Sequence, residues 1–256
     1  MAKYVITDNR HTENGTICTV TINNEAKYNS LNSTAFEELI AIFRDLKTNK
    51  ELAAVIFTGA GTKAFIGGAN IYEMAELTPS TAREFITRIH DLCTAIRELH
   101  VPVIARINGV CFGAGMELSA VCDLVIADAN ATFAMPEVHV GIPSVVEAAV
   151  LPRILGVGLA RDLVMTGRTL TAAEAKEAGF VQRLAEPGQL DNSVEEAIEQ
   201  ILKGGREAIR LQKLLCNAWE EENMSTSIQM GIDIFAKSFE TEEPKKLLGA
   251  FVNRKR

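Results

Sequence analysis

The sequence predicts an α/β core followed by a helical region, and three observations carry that prediction. Short apolar runs at 53–58, 102–107 and 124–127 read as buried strands. Stretches with apolar residues at helical spacing alternate with them, the pattern of an α/β core. From Val145 onward the chain reads as wholly helical, which makes the last third an extension for covering the core or joining subunits.

The elements follow in order. Tyr4 to Ile6 and Ile17 to Ile22 carry β-branched residues around Asn14-Gly15, a hairpin turn signal. A helix is expected from about Thr34, with Glu37 completing a capping box, because Phe36, Leu39, Ile40 and Phe43 recur on one face. The run Ala53 to Thr58 ends in Gly59-Ala60-Gly61, a buried strand entering a loop. Pro79 to His100 is the clearest helix, with Phe85, Ile89, Leu92, Cys93, Ile96 and Leu99 opposite its charges. Pro102 to Ile107 is a buried strand leading through a Gly-rich turn into a short helix, and Leu124 to Ala127 is the next strand. Thr171 to Glu174 reads as a capping box, with Gly179 as a stop past the helix end.

Composition narrows the function. A chain of 256 residues suits one large domain, and a net charge of −7 argues against a general nucleic-acid binder, which needs a basic face. The five cysteines are scattered without a CxxC pair, as expected of core thiols in a reducing compartment. No apolar run has signal-peptide or membrane-span length, so a cytoplasmic protein without membrane contact is expected.

Two glycine-rich segments stand out: Ala64-Phe65-Ile66-Gly67-Gly68-Ala69-Asn70-Ile71 and Asn108-Gly109-Val110-Cys111-Phe112-Gly113-Ala114-Gly115-Met116-Glu117-Leu118. Each follows a buried strand and is small enough for backbone to approach a ligand. The second opens a helix, whose first N–H groups lack partners and attract negative charge. Neither is a Walker motif or a GxGxxG, and either alone could be a plain turn.

Together the segments resemble the two signatures of the crotonase (enoyl-CoA hydratase/isomerase) superfamily, F-x-x-G-A-D-I/L and N-G-x-A-x-G-G-G-x-E-L. Further matches fall in the family's order: the stretch from Asn24 to Asn32, the segment Ala131-Thr132-Phe133-Ala134-Met135-Pro136-Glu137, and the tail from Phe239 to Arg256. The resemblance implies a spiral of ββα turns over residues 1–195, holding coenzyme A and the active site. It implies a helical region over 196–256 that covers the pocket and joins subunits as a homotrimer or a dimer of trimers. It also implies an acyl-CoA substrate, with no cofactor beyond that coenzyme A and no metal.

By matching position, the backbone N–H groups of Ala69 and Ala114 would form an oxyanion hole for the thioester oxygen. Glu117 would activate water for attack at C3, and Glu137 would deliver a proton to C2. Near-neutral pKa values, from partial burial and mutual repulsion, would suit that work. Coenzyme A would lie against Ile66, Gly67 and Gly68, with Lys27 as a point charge for a phosphate. The basic end Arg254-Lys255-Arg256 either does the same or frays.

The chain departs from the family pattern after Glu137. The usual Gly-Gly pair is missing, and Glu147 is an extra carboxylate, either facing the pocket or solvated. His139 stands two residues past Glu137; a strand-like segment would put both side chains on one side, although a surface or core histidine is the plainer role. Asn70, Tyr28 and Arg106 replace the family's usual aspartate, arginine and small residue. Hydration of a 2-enoyl-CoA is the leading expectation. The alternatives are isomerisation, decarboxylation or hydrolysis on the same scaffold, or a binding subunit without catalysis.

Overall fold

The computed structural model describes residues 4–254. The chain opens with the hairpin β1 (Val5–Thr12) and β2 (Gly15–Ile22), then α1 (Ser33–Leu46). Three ββα turns follow: β3 (Leu52–Gly59), β4 (Ala64–Ile66), α2 (Ile71–Met74) and α3 (Pro79–Arg97); β5 (Val103–Ile107), β6 (Val110–Phe112) and α4 (Ala114–Ala120); β7 (Leu124–Asp128) and β8 (Thr132–Ala134), leading through 3₁₀ turns to α5 (Leu151–Leu155) and α6 (Val157–Thr166). The remainder is β9 (Thr169–Thr171), α7 (Ala172–Glu177), β10 (Arg183–Ala185), α8 (Leu190–Leu202), α9 (Arg206–Glu221), α10 (Met224–Ser238) and α11 (Glu243–Arg254).

Each ββα turn sends its first strand to one sheet and its second to another. The larger sheet runs β1-β2-β3-β5-β7-β10 and is parallel except for the opening hairpin. The smaller runs β4-β6-β8-β9, with only β9 antiparallel. Side chains alternate across a strand. Cys18, Val55, Ala105 and Ala127 therefore enter the main core with Phe36, Phe43 and Phe57, whereas Ile17, Ala54, Ile104 and Ile126 face α8 through Leu190, Val194, Ala197 and Ile198. Burial on both faces is why these strands read as continuous apolar runs.

Several local expectations are corrected. The first helix is capped by Asn32, whose side chain accepts from Ala35 N–H at 2.9 Å, rather than starting at Thr34. The stretch after Val145 is not wholly helical, because β9 and β10 each extend a sheet there. The 195/196 boundary falls inside α8, whose Ala197 and Ile198 continue the packing begun by Leu190 and Val194. The capping box at Thr171 and Glu174 forms as expected, and Gly179 follows it at φ +86°.

The C-terminal helices are fastened by polar contacts rather than by a full apolar interface. Buried Lys213 of α9 reaches Asp123 at 2.7 Å and the Val101 carbonyl at 3.0 Å. The Glu243 carboxylate accepts from the first-turn amides of Glu207 and Ala208. On α10 only Ser227 is buried; Ile228, Ile232, Phe235 and Phe239 form an exposed stripe at helical spacing. Lys255, Arg256 and the Arg254 side chain lie outside the described residues.

Candidate active site

The ends of β4 and β6 run side by side, because Ile66 pairs with Cys111. Beyond β4, Gly67 N–H donates to the Tyr28 carbonyl at 2.8 Å, and a Cβ at Gly67 would lie 2.9 Å from that of Tyr28. Leu31 then bridges Ala69 from both sides: its N–H donates to Gly68 O at 3.0 Å, and its carbonyl accepts from Asn70 N–H at 2.8 Å. With its neighbours bound to Leu31, Ala69 turns its own N–H the other way, as alternating backbone groups do. Asn70 caps α2, accepting from Tyr72 and Glu73, so the amide-for-carboxylate change keeps a capping residue.

Beyond β6, Gly113 sits at φ +52°, a conformation that favours glycine. Its N–H donates to Ala134 O, and its carbonyl accepts from Met116 and Glu117 to start α4. Ala114 is the first residue of that helix. Among the described residues, neither Ala69 N–H nor Ala114 N–H has a protein acceptor. A Cβ at Gly115 would lie 2.5 Å from Ile66 O, so only glycine lets α4 close against β4.

Two carboxylates meet at this helix start. Glu117, one turn into α4, is 4% exposed and accepts from Ala148 N–H at 3.0 Å. Burial pushes its pKa up to about 8; the Ala148 hydrogen bond opposes the rise, and the charges of Glu137 and Glu147 add to it. Glu137 arrives past β8, the neighbour of β6 in the same sheet. Its Oε2 accepts from Ser144 Oγ at 2.7 Å, and a methyl group at Gly113 would lie 2.5 Å from its Oε1. The resulting constellation has two unpaired amides beside two carboxylates drawn from separate elements.

A family model described as enoyl-CoA hydratase/isomerase matches residues 12–256. The chain belongs to the enoyl-CoA hydratase/isomerase family, within the crotonase superfamily. It is 33% identical to a short-chain-enoyl-CoA hydratase of Clostridium acetobutylicum, over 94% of this chain and 93% of that protein. It is 32% identical to a crotonyl-CoA hydratase of Syntrophomonas wolfei, over 92% and 91%. The crystal structure of an enoyl-CoA hydratase from Bacillus anthracis superposes with a TM-score of 0.92 at 32% identity, covering 98% of this chain and 97% of that one.

Within this crotonase fold the other expected residues are placed as follows. Lys27 is exposed on the 3₁₀ turn Glu25–Lys27, adjacent to Tyr28, whose carbonyl holds Gly67. The Ile66 side chain is fully buried, so this residue can offer a ligand only backbone. His139 does not share a side with Glu137. Glu137–Val140 is a 3₁₀ turn, about 120° per residue, and His139 turns to the Thr166 carbonyl, 2.7 Å from Nε2. Glu147 is buried rather than solvated; Oε1 meets His90 Nδ1 at 2.7 Å, and Oε2 has no partner.

Three contributors went unseen in the sequence: Ser144, the Ala148 amide and His90. None carries a local motif. Arg106, unexplained by the family pattern, ties β5 to α8 through Asp191 at 2.7 Å. Nothing in the structure explains Tyr28. Among the described residues, no helix is long and apolar enough to cross a membrane.

Proposed function

We propose that this chain is an enoyl-CoA hydratase, adding water reversibly across C2=C3 of a 2-enoyl-CoA. The supporting observation is the approach of Glu117 and Glu137 to one helix start whose first amide is unpaired. The thioester oxygen binds between Ala69 N–H and Ala114 N–H, which stabilise the enolate-like charge as it develops. One water lies between the carboxyl groups. Its oxygen bonds to C3 as one carboxylate takes its proton, and the other carboxyl gives a proton to C2. Atoms balance, and the pair ends as it began, with one proton. The resemblance assigns water activation to Glu117 and proton delivery to Glu137. Coenzyme A lies along Lys27 and the Ile66–Gly68 backbone.

Burial pushes Glu117 up to about 8, so the ionised form that takes the water proton fills in as pH rises to that value. Below about pH 8, kcat/KM for crotonyl-CoA is therefore expected to rise roughly tenfold per pH unit. A profile that is flat or falls over that range contradicts Glu117 as the base.

Loss of the enone absorbance of crotonyl-CoA tests hydration itself; no turnover across several chain lengths removes it. Retained double-bond isomerisation in Glu117→Gln would instead favour a one-base isomerase. The exposed stripe on α10 supports assembly as a homotrimer or dimer of trimers. Sedimentation equilibrium is expected to give three or six chain masses, and a monomer at micromolar concentration contradicts it.

A further inference from the structure

The segment Ser144–Ala148 reaches both candidate catalytic carboxylates. At one end Ser144 Oγ donates to Glu137 Oε2 at 2.7 Å; at the other Ala148 N–H donates to Glu117 Oε1 at 3.0 Å. Between them the chain is extended at Val145, with φ −136° and ψ −163°, and then turns through Val146 at φ +40°. Positive φ is rare for any residue with a Cβ and is an outlier for a β-branched one. Such a conformation persists only where its surroundings over-determine it.

The restraint comes from the next residue. Glu147 turns inward and is 9% exposed, and its Oε1 is held by His90 Nδ1 at 2.7 Å. His90 stands on α3, which is fixed in the core by Phe85, Ile89, Leu92 and Cys93. The groups around Glu147 are His90 and the buried Cys93 thiol from α3 and Glu117 from α4, with Arg97 and Arg153 lining the outer cavity that His90 shares. Its Oε2 is buried without a hydrogen-bond partner. A buried carboxylate beside Glu117, with only the Cys93 thiol as a further hydrogen-bonding neighbour, is a poor choice for packing alone.

We propose that Glu147, tethered by His90, is a positioning residue that holds the strained Ser144–Ala148 segment so that it presents Glu137 and Glu117 at a fixed separation. The inference rests on the hydratase reading for its kinetic consequence, but not for its structural one. Neither side chain touches substrate; both act through the Ser144 hydroxyl and the Ala148 amide.

The test compares Glu147→Ala, Glu147→Gln and His90→Ala, with crotonyl-CoA as substrate. Misplacing a reacting group by about 1 Å can cost roughly 10²-fold, so Glu147→Ala is expected to lower kcat by about 10- to 100-fold with KM nearly unchanged. Glu147→Gln keeps the length and the acceptor for His90 and is expected to restore most of kcat. His90→Ala, at a largely exposed side chain, is expected to reproduce the Glu147→Ala loss, and the double variant to be no worse than either single one. Unchanged kcat in Glu147→Ala overturns the proposal. So does a Gln variant as impaired as the Ala variant, or additive losses in the double variant. Crystal structures of the His90→Ala and Glu147→Ala proteins give a readout without turnover. Val146 is expected to relax to negative φ and Ala148 N–H to leave Glu117; an unmoved segment overturns positioning. Should the wild-type protein hydrate no enoyl-CoA, the hydratase reading fails while this comparison still decides the proposal.

Discussion

Glu117→Gln is expected to lower kcat for enoyl-CoA hydration by about 10³-fold, within the usual range for losing a positioned acid or base, and to make the protein more stable in alkali. The two effects share one cause. Glutamine keeps an oxygen for the Ala148 N–H but cannot exchange a proton, so the fold survives and the chemistry does not. Burial raises the folded-state pKa of Glu117 from 4.5 to about 8. A raised carboxyl favours folding most below its ordinary pKa, and that contribution is lost as pH rises to about 8. Above that the wild-type chain bears the full penalty of a buried carboxylate. At about 1.4 kcal/mol per pKa unit, the penalty removed by Gln is of the order of a few kcal/mol. Urea unfolding at fixed protein concentration is expected to show the variant ahead at about pH 8.5 and nearly level at about pH 5. Equal midpoints at both pH values would contradict the buried-acid account.

Ala114→Pro is expected to reduce kcat by about 10²- to 10³-fold, the effect of removing one oxyanion donor. Position 114 is the first residue of α4, where proline is tolerated because that N–H has no helical acceptor. The preceding Gly113, at φ +52° and ψ −119°, mirrors the extended geometry that proline demands of its neighbour. The substitution therefore replaces the N–H hydrogen by a ring carbon, removing the donor, while leaving a helix of the same length. Retained far-ultraviolet dichroism with lost turnover is the expected pair of results. Wild-type turnover would show that the Ala114 amide does not face the thioester.

What could be read from the sequence followed the length and burial of each element. Helix α3 was legible because its apolar residues keep helical spacing over 19 residues. Strands β3, β5 and β7 were legible because both their faces are covered. The three-residue strands β4, β6, β8, β9 and β10 are too short to show a period, and only sheet pairing defines them. That is why the stretch after Val145 read as helix alone. Glu117 and Glu137 stood in motifs that resemble a family, so their convergence was foreseeable. The contributions of Ser144, Ala148 and His90 were not, because they depend on a valine at positive φ, which local propensity argues against. The strand-like option for His139 fails for a related reason, because the chain winds into a 3₁₀ turn there, whereas the plainer reading as a surface histidine holds.

A crystal structure with butyryl-CoA, a saturated thioester that cannot be hydrated, addresses the geometry on which the hydratase reading stands. The expected complex has the thioester oxygen about 2.7–3.1 Å from both Ala69 N and Ala114 N, with Glu117 and Glu137 facing C2 and C3 across one ordered water. A thioester oxygen bound away from those amides, or either carboxylate turned out of the cleft, would contradict it.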